Sequence, residues 1–230
     1  MRKKILPSKI SLNFYESQTW ASKNTACGVD EVGRGCLAGP IVVSSVILPA
    51  NSETFLLKDS KTLTVAQRNQ AYKWIIKNCQ YSFGILNHRV IDQKNIYQTT
   101  LLAMKRSVLQ LFATTQKLPS LILVDAMPLS LANTTYKNID IHHFPFGESV
   151  SSSIAAASIV AKVKRDEIMK KMDEIFPGYA FAIHKGYQTQ KHIDALDVKG
   201  PSIIHRQTYL KKYFIKTQEK AHENQQLMFF

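Results

Sequence analysis

Small, β-branched and apolar residues fill 26–30 and return at 37–48, where Ile41, Val42, Val43, Val46 and Ile47 predict a second strand joined to the first through Gly33-Arg34-Gly35. Pro49, Asn51 and Ser52 break that pattern, and Lys58-Asp59-Ser60-Lys61 reads as an exposed charged loop. Thr64 with Gln67 has the form of a capping box, and Tyr72, Ile75, Ile76 and Cys79 recur at helical spacing, predicting a helix over 65–79. A third strand is expected at 81–86. A long helix is expected over 90–113, with Ile96, Thr99, Ala103, Met104, Val108 and Leu111 on one face turned to a sheet. Leu121-Ile122-Leu123-Val124 is a continuous apolar run closed by Asp125, the pattern of a strand buried on both faces. A last strand is expected at 139–144. The Ala-rich run 153–161, continuing as Lys162-Val163-Lys164-Arg165-Asp166, suits a helix lying close on that sheet. Phe176-Pro177-Gly178-Tyr179 ends a helix, and 201–216, with His205, Arg206, Tyr209, Lys211 and Lys212, suggests a short helical appendage. Residues 1–24 form a polar, basic lead-in with Phe14, Tyr15 and Trp20 and room for a short helix.

Composition narrows the classes. A chain of 230 residues that is 45% hydrophobic can build one sizeable core, not two large domains, and no internal repeat is visible. Thirty Lys and Arg against 17 Asp and Glu give +13, which suits a polyanion: nucleic acid or an acidic membrane surface. No run approaches the ~18 apolar residues that span a bilayer. Pro7, Ser8 and Lys9 stand where a signal peptide needs its apolar stretch, so a soluble cytoplasmic protein is expected. Cys27, Cys36 and Cys79 are odd in number and lack zinc-ligand spacing, so reduced thiols are expected.

The candidate chemistry centres on Gly28-Val29-Asp30-Glu31-Val32-Gly33-Arg34-Gly35. Neighbouring side chains on a strand point to opposite faces, so Asp30 and Glu31 can share one ion only where the strand ends or bends. Glycines at 33 and 35 leave main-chain N–H groups open to phosphate or sugar oxygens. An ordinary hairpin would look much the same. Asp125 at a strand end is either a site residue or the cap of the next turn. Asp166 is either drawn towards the strand-end acids or simply paired with Lys162, a contact worth ~0.2–0.5 kcal/mol. Thirteen Lys and Arg against seven Asp and Glu between 162 and 220 mark a candidate nucleic-acid face or a solvated helical surface. In His184-Lys185-Gly186-Tyr187 the ring can stack on a base or sugar beside cations, or serve as a lid on the core.

In their order, these pieces resemble bacterial ribonuclease HII. The resemblance rests on Asp30-Glu31-Val32-Gly33-Arg34-Gly35, Asp59-Ser60-Lys61, Asn95, Asp125, the run from Ile154 to Asp166, and His184-Lys185-Gly186-Tyr187, and it covers roughly 26–210. It implies an α/β, ribonuclease H-like fold: a mixed five-stranded sheet flanked by helices, with a C-terminal helical appendage. The implied organisation is a lead-in at 1–24, a catalytic domain at 25–216 and a tail at 217–230. It also implies that Asp30, Glu31, Asp125 and Asp166 are the catalytic carboxylates and bind two Mg²⁺ or Mn²⁺ ions, hard cations suited to carboxylate oxygens. The activity implied is an endoribonuclease that hydrolyses RNA in RNA–DNA hybrids and cuts 5′ of ribonucleotides embedded in duplex DNA, leaving 3′-hydroxyl and 5′-phosphate ends. The substrate residues implied are Gly33, Arg34 and Gly35, whose main chain reads the 2′-hydroxyl, Tyr187 packed on the junction sugar, and Lys61, Asn95 and Lys185.

The chain departs from the family's pattern in several places. Phe146-Gly147-Glu148 stands where Lys-Gly-Asp is usual, which alters the local charge and leaves Glu148 as a candidate outer acid. Gln188 replaces a proline or glycine, and Tyr209 replaces a phenylalanine. The short lead-in and Gly-Arg-Gly favour HII over the ribonuclease HIII subclass. Gln226, Leu227, Phe229 and Phe230 resemble the short peptide with which bacterial repair proteins grip the sliding clamp, with Phe229 in place of a leucine. A monomer without membrane attachment is expected.

Overall fold

A computed structural model describes residues 12–52, 57 and 62–211. Its strands are β1 (Ala26–Val32), β2 (Ile41–Ile47), β3 (Gln80–Leu86), β4 (Leu121–Asp125) and β5 (Asp140–Phe144). Its helices are α1 (Phe14–Ala21), α2 (Val65–Asn78), α3 (His88–Thr114), α4 (Ser152–Ile175), α5 (Phe181–His184) and α6 (Gln190–Lys199), with a 3₁₀ turn at Gly147–Ser149. The strands form one sheet in the order β3-β2-β1-β4-β5. β1 runs antiparallel to β2 and parallel to β4, and β4 runs parallel to β5, so the expected mixed five-stranded sheet is present.

The chain divides into two compact units. The first gathers Met1–Val32, Val42–Ile85 and Thr100–Arg165, and the second Gly33–Ile41, Leu86–Thr99 and Asp166–Phe230. In the first, every residue of β2 from Val42 to Ile47 is buried, as a continuous apolar run requires. The alanines of α4 pack with Val46, Leu48, Ala71 and Ile75, while Ile154 packs with Ala26, Leu123 and Phe144. The approach of helix to strand is close. A Cβ on Gly28 would lie 2.0 Å from the Ser153 carbonyl carbon, so only glycine lets the start of α4 rest on β1 there.

The lead-in has a structural role that its composition does not announce. Glu16 of α1 is fully buried, and its Oε1 accepts the Ser151 hydroxyl at 2.5 Å and the Ser153 N–H at 2.9 Å. It thereby satisfies the Ser153 N–H, one of those that the start of α4 would otherwise leave open. Tyr15 stacks on Phe144 at 5.3 Å between ring centroids.

Two expected elements differ in detail. β2 begins at Ile41, not 37, because Gly39 has φ 85 and residues 37–39 pair elsewhere: Ala38 bridges His205, the Gly39 N–H donates to the Ile204 carbonyl, and the Arg206 N–H donates to that of Leu37. α3 is not one continuous helix. Asn95 breaks it at φ 64, ψ 165, and restarts it by accepting the Gln98 N–H on Oδ1 at 3.1 Å. The capping box holds: Thr64 Oγ1 accepts the Gln67 N–H, and Gln67 Oε1 accepts the Thr64 N–H. Cys27 and Cys36 are buried free thiols, and Cys79 is a half-buried one.

Candidate active site

Three of the sequence-derived acids belong to the first unit. β1 and β4 are in register through Val29 opposite Val124, and the next residue on each strand is an acid, Asp30 on β1 and Asp125 at the carboxyl end of β4. Glu31 follows Asp30. The strand does not bend between them, since β1 continues to Val32 and Gly33, at φ 97, makes the turn two residues later.

Asp30 is 6% exposed, and its carboxyl is held well above the ordinary range: burial contributes most, then the negative charges of Glu31 and Asp125. Hydrogen bonds from the Ser158 hydroxyl and from the Glu31 N–H, 2.7 Å from Oδ1, oppose the rise without cancelling it. Asp125 Oδ1 accepts the Gly147 N–H at 2.8 Å, with Ala126 at φ 53 turning the chain away behind it. A Cβ on Gly147 would stand 2.6 Å from Ile154 Cδ1 and 3.3 Å from Asp125 Oδ1, so this glycine keeps the contact open. Beside it Glu148 is buried and Phe146 exposed. Within 146–148, the hydrogen bond to Asp125 comes from the main chain of Gly147.

Among the described residues no three His, Cys, Asp or Glu side chains are grouped to hold a metal ion. The chemistry of the donor set nevertheless fits one. A buried carboxyl destabilised as an anion by two neighbouring acids is relieved by a divalent cation, and all the donors are hard oxygens.

The second unit holds the remaining candidates. Gly33 is buried, Arg34 half-buried and Gly35 exposed. A Cβ on Gly35 would meet no atom within 4 Å, so the protein's own packing does not require glycine there. Tyr187 is 38% exposed, and its carbonyl accepts from His192 Nδ1 at 2.9 Å. Lys185, at φ 53, donates its ammonium to the Ala182 carbonyl. Asn95 is exposed at the break in α3, and Asp166 is half-buried on α4, directly after the fully buried Arg165. Lys61 and the tail residues Gln226, Leu227, Phe229 and Phe230 lie outside the described residues.

Sequence reasoning missed several participants. Ser158 is the one hydroxyl in the run Ile154 to Ala161, and a lone polar residue in an otherwise apolar run is the signal that could have marked it. His184, His192 and His205 form a buried chain whose hydrogen bonds fix each tautomer. His184 Nδ1 accepts the Gly186 N–H and its Nε2 donates to the Tyr179 carbonyl at 2.7 Å. His192, donating from Nδ1 to Tyr187, accepts on Nε2 from His205 Nε2 at 3.0 Å, and His205 Nδ1 accepts the Ser202 N–H. All three are neutral. Burial, ahead of any charged neighbour, lowers each of them, His192 and His205 to about 4. Arg206, fully buried, donates to the carbonyls of Gly33, Arg34 and Gly39.

The family model described as Ribonuclease HII matches residues 27–217. A curated Ribonuclease HII of Levilactobacillus brevis is 44% identical over 85% of this chain and 72% of its own length. That of Alkaliphilus metalliredigens is 44% identical over 86% of this chain and 96% of its own. Among solved structures, RNase HII of Archaeoglobus fulgidus, determined in a PCNA:RNase HII complex, superposes with a TM-score of 0.66 at 24% identity over 80% of this chain and 94% of that one. Bst-RNase HIII in complex with Mn²⁺ gives 0.64 at 20% identity over 85% and 71%. The structural likenesses speak for the fold. The sequence matches speak for more, and on them the chain belongs to the ribonuclease HII family and is a hydrolase of the nuclease class.

Proposed function

We propose that this endoribonuclease of RNA–DNA hybrids also cuts on the 5′ side of single ribonucleotides embedded in duplex DNA, using divalent ions held by Asp30, Glu31, Asp125 and Asp166. The observation that carries the reading is the placement of Asp30 and Asp125 one residue beyond the Val29–Val124 pair, with Asp30 destabilised as an anion by its burial and its neighbours. Uncompensated acids beside a phosphodiester would repel it, so a purely binding module has no use for them. Asp166 enters the set through the family resemblance. Two Mg²⁺ or Mn²⁺ ions, when bound, supply an activated water and neutralise the charge on the leaving 3′ oxygen.

The chain's own residues do the rest. Ser158 and the Glu31 N–H hold the Asp30 carboxylate in one orientation, and the Gly147 N–H does so for Asp125. The open side of the turn at Gly35 supports main-chain reading of the 2′-hydroxyl, since a bare backbone admits the sugar where a side chain would stand. The exposed ring of Tyr187 packs on the sugar at the RNA–DNA junction. By the family resemblance, Arg34, Lys61, Asn95 and Lys185 complete the set of substrate-binding residues. The Archaeoglobus neighbour's complex with PCNA supports a clamp partner for this chain, gripped by Gln226, Leu227, Phe229 and Phe230. Deleting 226–230 should abolish clamp pull-down and leave cleavage of short duplexes intact.

The test is cleavage of a DNA duplex carrying one ribonucleotide, beside a long hybrid, with Mg²⁺ or Mn²⁺. Wild type should cut both, the first on the 5′ side. Asp125→Asn should cut neither, and Tyr187→Ala should lose the single-ribonucleotide duplex selectively. Cleavage of the long hybrid alone would move the chain to the specificity of the HIII subclass. Cleavage undiminished in Asp125→Asn would overturn the carboxylate assignment.

A further inference from the structure

We infer that Arg206 and Tyr209 form a clamp on the carbonyl side of the Gly33-Arg34-Gly35 turn that aims the N–H groups of Arg34 and Gly35 outward. They are thus positioning residues for ribose recognition. The inference rests on the reading that this turn contacts the 2′-hydroxyl. Arg206 Nη2 lies 2.7 Å from the Gly33 carbonyl and 3.0 Å from that of Gly39. Its Nη1 lies 2.8 Å from the Arg34 carbonyl, and its Nε 3.1 Å from that of Gly39. The Tyr209 hydroxyl donates to the same Arg34 carbonyl at 2.8 Å, and the guanidinium carbon lies 5.2 Å from the centre of the Tyr209 ring.

The consequence follows from the peptide group itself. In a planar trans peptide the C=O and the N–H of the next residue point in opposite directions. The Gly33 carbonyl shares its peptide with the Arg34 N–H, and the Arg34 carbonyl shares its own with the Gly35 N–H. Turning both carbonyls onto a fully buried guanidinium therefore turns both N–H groups away from it. The cation also polarises these peptides, which strengthens their N–H groups as donors in a low-dielectric setting. A lysine at 206 could not reproduce this, because one ammonium lacks the planar fork that spans three carbonyls. Tyr209 adds a tie that the phenylalanine usual at this place in the family cannot make.

The same stretch of chain reaches the other candidate reader of the sugar. His205, next to Arg206, is bonded to His192, whose Nδ1 holds the Tyr187 carbonyl, and the Leu37 N–H donates to the Gly186 carbonyl at 2.8 Å. One segment thus fixes both the turn and the Tyr187 loop.

The test uses the full chain with Asp125→Asn, so that binding is read without cleavage. Dissociation constants are measured for a duplex with one ribonucleotide and for the same duplex all-deoxy. Adding Tyr209→Phe, which removes the hydrogen bond to the Arg34 carbonyl, should lower the ribose preference about fivefold, weakening the ribonucleotide duplex more than the all-deoxy one, and should lower the melting temperature by only about 1–4 °C. Adding Arg206→Lys should lower the preference at least about tenfold. If the parent prefers the ribonucleotide and both variants keep that preference, the clamp is wrong even if Arg206→Lys melts earlier. If the parent itself binds both duplexes equally, the 2′-hydroxyl reading of the turn fails and the clamp with it. Tyr209→Phe keeps the test decisive should Arg206→Lys fold poorly.

Discussion

Gly35→Ala separates what the fold requires from what the substrate requires. The added methyl meets nothing within 4 Å, and Gly35 lies outside the left-handed region, so the native backbone accepts alanine unstrained. Alanine at such a position restricts the unfolded chain and stabilises by ~0.4–1 kcal/mol, a rise in Tm of roughly 1–4 °C for a chain of this size. The methyl projects from a turn whose N–H groups are assigned to the ribose. It forfeits a neutral hydrogen bond, ~0.5–1.5 kcal/mol, and leaves the sugar hydroxyl desolvated without a partner, ~1–3 kcal/mol. Together these are about 1.5–4.5 kcal/mol, or roughly 10- to 2000-fold in kcat/KM on a single-ribonucleotide duplex. Thermal melting and steady-state cleavage of that duplex read the two halves independently. A variant within about twofold of wild-type kcat/KM would refute the ribose assignment. A fall in Tm of more than about 5 °C would refute the premise of open space.

Three further outcomes are expected. Gly28→Ala places a methyl 2.0 Å from the Ser153 carbonyl carbon and should cost about 3 kcal/mol or more in urea unfolding, because strand and helix must part. Glu16→Ala, which removes the acceptor of the Ser151 hydroxyl and the Ser153 N–H, should cost about 1.5–3 kcal/mol in the same assay. Lowering the pH from 6.5 towards 4 should reduce Tm. His192 and His205 titrate near 4 in the fold against 6.5 ordinarily, so between these values the unfolded chain takes up protons that the native one refuses. That contribution is complete above 6.5 and is lost as the pH falls, and His205→Gln should flatten the slope.

What was legible in the sequence was local. The apolar run 121–124 and its terminal acid placed β4 and Asp125, the Thr64–Gln67 spacing placed the start of α2, and the alanines of α4 announced its close packing. Pairing between distant segments leaves no local trace. Residues 37–40 look like strand because they are apolar, yet Gly39 and the bridge to His205 hold 37–39 apart from β2. The break at Asn95 is hidden in a helical pattern that continues on both sides of it. Glu16 reads as one more charge in a polar lead-in until its partners 135 and 137 residues away are known. Type and position left each acid of the candidate site an alternative, and only the family resemblance singled them out, whereas the groups that orient Asp30 and Asp125, Ser158 and the Gly147 N–H, depend on folding for their proximity.

The hydrogen bonds from Arg206 and Tyr209 to residues 33–39 span 167 to 175 positions of sequence. Closing a loop of that length costs chain entropy that only nearly complete folding repays, so the turn is among the last parts of the molecule to take its final shape. On the ribosome this imposes an order of maturation. Asp30, Glu31 and the glycines emerge early, while the residues that orient the turn emerge some 170 codons later. A nascent chain carries its acids long before the groups that orient the turn exist, and any product truncated ahead of residue 206 lacks those groups for good.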